Sequence, residues 1–184
     1  MMAAAPPTSS SHIPTTWWGP PAALVLAAAT FVRLGLNVDA AAWAVAQVTL
    51  VVLAAHDLVT RRLPNAITIP VALLAVGARA AFERSALDEV ILAGLVAFGA
   101  FLVLSLLLRS GLGMGDVKLA GMLGFLLGSA VVPALLIGVF AGGIAAAALM
   151  AGARATRRTY IAYGPYLALG GAIAILAFHP PSLV

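Results

Sequence analysis

The chain contains no cysteine in its 184 residues. That excludes disulfides, zinc–thiolate sites and a thiol nucleophile. Acidic residues are nearly as scarce: Asp and Glu total six, and charged residues of both signs make up 9%. Soluble domains carry roughly 25%. The three histidines, His12, His56 and His179, lie too far apart in sequence to suggest a His-rich metal site. Neither a metal nor a cofactor is expected. No Lys or Arg precedes Arg33, so the basic start of a secretory signal peptide is missing as well.

Apolar residues are what the chain has in plenty. They form 63% of the sequence, and the mean hydropathy is +1.11. No soluble fold of this length hides so much apolar surface, so the chain reads as an all-α, polytopic transmembrane helical bundle. The net charge of +4 is no nucleic-acid signal, because the basic residues fall in short clusters between apolar runs. The expected surroundings are membrane lipid.

Residues 1–16 are mostly Ala, Pro, Ser and Thr without periodicity and read as a disordered tail. Trp17 and Trp18 stand either as a headgroup-level anchor or as a chance aromatic pair at a helix entrance. Apolar segments follow over 20–36, 40–56, 66–82 and 90–108. Residues 116–152 are too long for one crossing at ~20 residues each. Gly128-Ser129 and Pro133 offer a break there, giving spans over 116–128 and 131–152, and a last span covers 162–178. The total is about seven: an additional N-terminal segment in 17–38, six spans in a main domain over 39–178, and a C-terminal tail over 179–184.

Under this count the loops at 57–65, 109–118 and 153–163 share one side. They hold Arg61, Arg62, Arg109, Lys118, Arg154, Arg157 and Arg158, against Arg33, Arg79 and Arg84 on the other. An excess of Lys and Arg marks the cytoplasmic side, so the N-terminus is expected inside and the C-terminus outside.

Two aspartates then fall at span ends on that same face. Asp116 sits in Gly113-Met114-Gly115-Asp116-Val117-Lys118, and Asp57 in His56-Asp57-Leu58-Val59-Thr60-Arg61-Arg62-Leu63-Pro64-Asn65. An acid at the mouth of an apolar segment is expensive unless something uses it. Two neighbouring carboxylates hold one proton between them, because both cannot easily ionise side by side. Such a pair supplies the base that activates water and the acid that protonates a carbonyl. Other readings stay open. Asp116 can pair with Lys118 or cap the following helix, and Asp57 can pair with Arg61 or Arg62. Lys118 can position a carboxylate or substrate, or extend to the headgroups. His56 reads as an interface residue. A small transporter or channel also uses intramembrane carboxylates, but it predicts charges near mid-membrane and repeated halves, and neither is visible.

These residues carry a resemblance. Asp57 followed by Arg61-Arg62-Leu63-Pro64-Asn65, then Gly113-x-Gly115-Asp116-Val117-Lys118-Leu119, resembles the prepilin peptidase family of GxGD membrane aspartic proteases. Tyr163-Gly164-Pro165-Tyr166-Leu167-Ala168-Leu169-Gly170 is similar to the family's C-terminal patch, with Ala162 where the family usually has proline. The match runs from about residue 45 to about residue 175. The resemblance implies Asp57 and Asp116 as the catalytic pair. It implies supporting or substrate-positioning roles for Gly113, Gly115, Lys118, Arg62, Pro64, Asn65, Gly164 and Pro165. The implied substrate is a prepilin or pseudopilin, an apolar transmembrane helix behind a basic cytoplasmic leader. Only Gly35 to Asp39 lies between the first two spans. The chain therefore resembles the short, peptidase-only form, without the domain that accompanies N-methylation.

Overall fold

The computed structural model describes residues 18–107, 112–152, 162–178 and 180–183. The N-terminal tail, Trp17, Arg109, the basic cluster from Arg154 to Arg158 and His179 lie outside the described residues. Seven α-helices account for nearly all of the described residues: α1 (Gly19–Leu34), α2 (Val38–Thr60), α3 (Asn65–Phe82), α4 (Leu87–Leu107), α5 (Met114–Leu127), α6 (Val131–Ala151) and α7 (Gly164–Ala177). Four segments are long and apolar enough to cross a bilayer: Val38–Thr60, Asn65–Phe82, Arg84–Leu107 and Met114–Ala151. The last is α5, a tight turn and α6 in one run. The apolar helices Gly19–Leu34 and Gly164–Ala177 are shorter. The chain is a multi-pass, all-helical membrane protein.

Local chemistry explains the boundaries. Asn37 opens α2, its side chain accepting from the Ala40 N–H at 2.7 Å. The break expected at Gly128-Ser129 is present: Gly128 has φ +58°, in the left-handed region that glycine enters without steric cost. Pro133 does not break the chain; it sits in the first turn of α6, where no helical hydrogen bond is lost. Pro70 lies inside α3 and removes one such bond.

Helices α5 and α7 are innermost. α5 packs against α3, α4 and α7, and α7 packs against α2 and α6. Beyond Asp116 and Lys118 in its first turns α5 is apolar on every side, and so is most of α7, the pattern of a buried helix. At Gly124 a Cβ would meet the Ala93 carbonyl oxygen at 2.5 Å, so glycine there sets how closely α4 approaches α5.

One end of the bundle is closed by Arg79, whose side chain is fully buried. Its guanidinium donates to the carbonyls of Ala75 (3.3 Å), Phe125 (3.4 Å), Leu126 (2.6 Å) and Pro181 (3.1 Å). The Trp43 ring lies 6.0 Å away. At the same end the Asp39 carboxylate accepts from the Leu183 N–H at 2.6 Å, and Glu89 accepts from the Ser129 N–H at 2.7 Å. Residues 180–183, within the expected C-terminal tail, fold back over the bundle, and Leu183 is buried in the core.

Candidate active site

The other end is open. A cleft of about 370 Å³ lies there, lined by Asp57, Arg61, Arg62, Asn65, Gly113, Gly115, Asp116, Lys118 and Tyr163, with Leu63, Met114 and Ala162. Helix α2 delivers Asp57 in its last turn, and α5 delivers Asp116 in its first. Each carboxylate is only 5% exposed. They are close enough for the charge of Asp57 to act on Asp116.

Asp116 Oδ2 accepts the Gly113 N–H at 3.1 Å. This is half of a capping box; glycine has no side chain to complete the other half. The helix-capping reading of Asp116 thus holds alongside its place in the cleft. Asp57 differs. The Gly164 backbone N–H interacts with its carboxyl group, but Oδ2 is buried with no hydrogen-bond partner among the described residues. A buried polar atom left unpaired costs about 1–3 kcal/mol. The Gly164 backbone reaches this carboxylate closely enough that a Cβ there would meet Oδ2 at 2.6 Å.

The chain between α2 and α3 is tightly organised. Arg61 ends α2 with φ +53°, a left-handed conformation unfavourable for a residue with a side chain, and its N–H donates to the Asp57 carbonyl at 2.8 Å. His56 Nδ1 donates to the Arg62 carbonyl at 2.8 Å. His56 thereby holds the turn beside Asp57, a function beyond that of an interface residue. Leu63 is buried against Gly115, where a Cβ would stand 3.3 Å from the leucine. Pro64 starts α3, its carbonyl accepting from the N–H groups of Ile67 and Thr68. Lys118 Nζ donates to Asn65 Oδ1 at 2.9 Å, tying the first turn of α3 to α5. The Lys118–Asp116 pairing considered from sequence is not the contact that forms.

Of the residues singled out from sequence, Asp57, Asp116, Gly113, Gly115, Lys118, Arg62 and Asn65 meet in the cleft. Gly164 backs Asp57 from behind. Pro64 shapes the start of α3, and Pro165 lines a separate apolar groove between α1, α2 and α7. Tyr163 was not singled out. Its hydroxyl donates to the Val139 carbonyl at 3.2 Å and its ring stands edge-on to Tyr166. Its position directly before Gly164-Pro165 was the available signal.

Two buried carboxylates on one cleft, with an unpaired oxygen on one of them, suit general acid–base chemistry on a bound water. No curated protein and no solved structure matches the chain. A family model, that of the type IV leader peptidases, matches residues 44–150, which takes in both aspartates, all of α5 and most of α2. That match covers more than half of the chain, and on it the protein belongs to the type IV leader peptidase family.

Proposed function

We propose that the protein is a membrane aspartic endopeptidase. It removes the basic leader of type IV prepilin-like or pseudopilin precursors at the cytoplasmic membrane boundary. The observation that carries this reading is the meeting of Asp57 and Asp116, one from each half of the matched region, on one cleft. In the reaction one carboxylate takes a proton from water as the oxygen adds to the scissile carbonyl carbon. The other, protonated, gives its proton to the carbonyl oxygen. The diol then collapses, a proton passes to the amide nitrogen, and the C–N bond breaks. The pair again holds one proton. Arg62, Asn65 and Lys118 hold the rim of the cleft, Gly113 donates its N–H to Asp116, and Gly115 and Gly164 admit the close approach of Leu63 and Asp57. The chain would cross the bilayer seven times, with the cleft and the N-terminus in the cytoplasm and the C-terminus outside.

The direct test is co-expression with a candidate prepilin, scored by a gel shift for leader removal. Wild type is expected to shorten the precursor. A precursor that stays full length with every candidate tried, in cells where the enzyme accumulates, overturns the reading. Single cysteines test the topology, since the chain has none of its own. Thr60→Cys and Ser110→Cys are expected to label only from the cytoplasm, and Ser85→Cys only from outside. Labelling of Thr60→Cys and Ser110→Cys from opposite sides is incompatible with one shared cleft.

A further inference from the structure

Helices α3 and α4 both lean on α5, and an apolar groove of about 240 Å³ runs between them. Ile69 and Leu73 of α3 form one wall, Phe98 of α4 the other, and Gly121, Met122 and Phe125 of α5 the floor. Lys118 closes the groove at its upper end, and the same Lys118 lines the cleft that holds Asp57 and Asp116. Three other apolar grooves run along the described helices, and none shares a lining residue with the cleft. The roomiest, about 510 Å³ between α4 and α6, reaches Glu89 and Ser129, at the closed end of the bundle.

From the shared lysine to Phe125 the floor spans seven residues, or ~10 Å and two turns of helix. The polarity changes at Lys118: mostly charged and hydrogen-bonding groups above it, and apolar groups below, apart from Thr68, whose hydroxyl donates to the Pro64 carbonyl of its own helix. A peptide whose scissile bond lies at the two carboxylates, and whose next residues form an apolar helix, must make the same change at the same place. Ile69 and Leu73 are half-exposed or more, so this wall is open to a neighbour in the bilayer. The groove is too small for a helix. It takes side chains from one helix face, at the i, i+3, i+4 and i+7 spacing by which an apolar helix enters a groove.

We infer that the α3–α4 groove is the docking surface for the apolar transmembrane helix of the cleaved precursor, entered sideways from the lipid and aligned by Lys118. The inference rests on the peptidase reading above and adds where the uncut part of the substrate lies. It requires α3, the helix that also carries Asn65, to serve as a wall of the substrate site.

The test uses a precursor that the wild-type enzyme cleaves, carrying one cysteine in its apolar helix two turns beyond the cut. The enzyme carries Asp57→Asn to keep the precursor whole, together with Leu73→Cys. Oxidation is expected to join Leu73→Cys to the precursor. It is expected to leave Val96→Cys, in the α4–α6 groove, and Leu26→Cys, in the α1–α2–α7 groove, unjoined. A cross-link at either of those positions in place of Leu73, or at none of the three, overturns the inference. Ile69→Trp, on the otherwise native enzyme, fills the groove from a half-exposed position. It is expected to raise KM about tenfold with kcat unchanged, the mark of lost uniform binding. An unchanged KM means the groove holds only lipid, which also overturns it. If wild type cleaves while these arms fail, the groove assignment falls and the peptidase reading stands. If wild type cleaves no precursor, the reading falls and takes the groove with it.

Discussion

The two ends of this bundle are built by opposite rules. At the closed end Arg79 gives protons to four backbone carbonyls on α3, α5 and the C-terminal segment, leaving only Nε unpaired. Asp39, Glu89 and Glu83 stand near enough to act on its charge. At the open end a buried carboxylate keeps an oxygen without a partner, a non-glycine residue is held left-handed, and a cleft separates the elements. Buried polar groups are normally satisfied. The closed end turns four donors of one buried cation to backbone carbonyls and so holds helices together, whereas the open end keeps a carboxylate beside a cleft, with an oxygen unpaired among the described residues and so available for work. Arg79 grips the last turn of α5 and Asp116 begins its first turn, so a single helix joins the two ends.

The largest effect that sharpens this contrast is expected at the carboxylates. Asp57→Asn and Asp116→Asn should each slow leader removal by ~10³-fold or more, since an amide is neither base nor proton donor. Both variants should accumulate in the membrane. Near-normal cleavage by either one, in the gel-shift assay, removes that residue from the chemistry.

Gly164→Ala comes next. Its Cβ would stand 2.6 Å from Asp57 Oδ2, so the carboxylate has to move. A displacement of that kind costs ~10²-fold in rate. Gly143→Ala, where nothing lies within 4 Å, is the control and should cleave normally. Equal rates for the two variants would mean that the approach of α7 does not position Asp57.

The third prediction moves to the closed end and reverses the readout. Arg79→Leu strands the carbonyls of Leu126 and Pro181, at about 1–3 kcal/mol each. The melting temperature of the purified protein should fall clearly, while cleavage per folded molecule stays within about twofold of wild type. A large loss of rate at unchanged stability breaks the division of labour between the ends. The smallest effect is at the rim. Asn65→Ala removes one exposed hydrogen bond to Lys118, worth about 0.5–1 kcal/mol, and should slow cleavage about two- to fivefold.

Much of the open end was legible in the sequence, because rare residues and punctuation mark it. With six acids in the chain, an aspartate beside paired glycines at the edge of an apolar run stands out. Hydropathy placed the helices to within a few residues, and Gly128 marked the turn between α5 and α6. The closed end was not legible. Arg79 reads from sequence as one more charge near a span end, and counting basic residues assigned it only a side. Its burial depends on carbonyls offered by residues 46, 47 and 102 positions away, which no local pattern reveals. Leu183 likewise looked like part of a short tail. Its burial follows from Asp39, at the far end of the sequence, accepting its N–H. The dual part of Asp116, helix cap and cleft carboxylate, was visible only as two competing readings.

Helix length has a consequence for depth. α5 and α7 have 14 residues each, ~21 Å, whereas α4 and α6 have 21 each, ~31 Å, close to the ~30 Å of a bilayer's hydrocarbon. The level of the cleft can be read on α6: Gly142 abuts the Tyr163 ring, and the helix continues through apolar residues to Ala151, ~13 Å further. On the α6 side, therefore, the cleft is bordered by a taller apolar wall. A membrane that fits α6 is thicker than α5 and α7 are long, and it would thin beside them or admit water there. On the peptidase reading, the shortness of two helices, as much as the acidity of two side chains, would bring water to a bond at the membrane boundary.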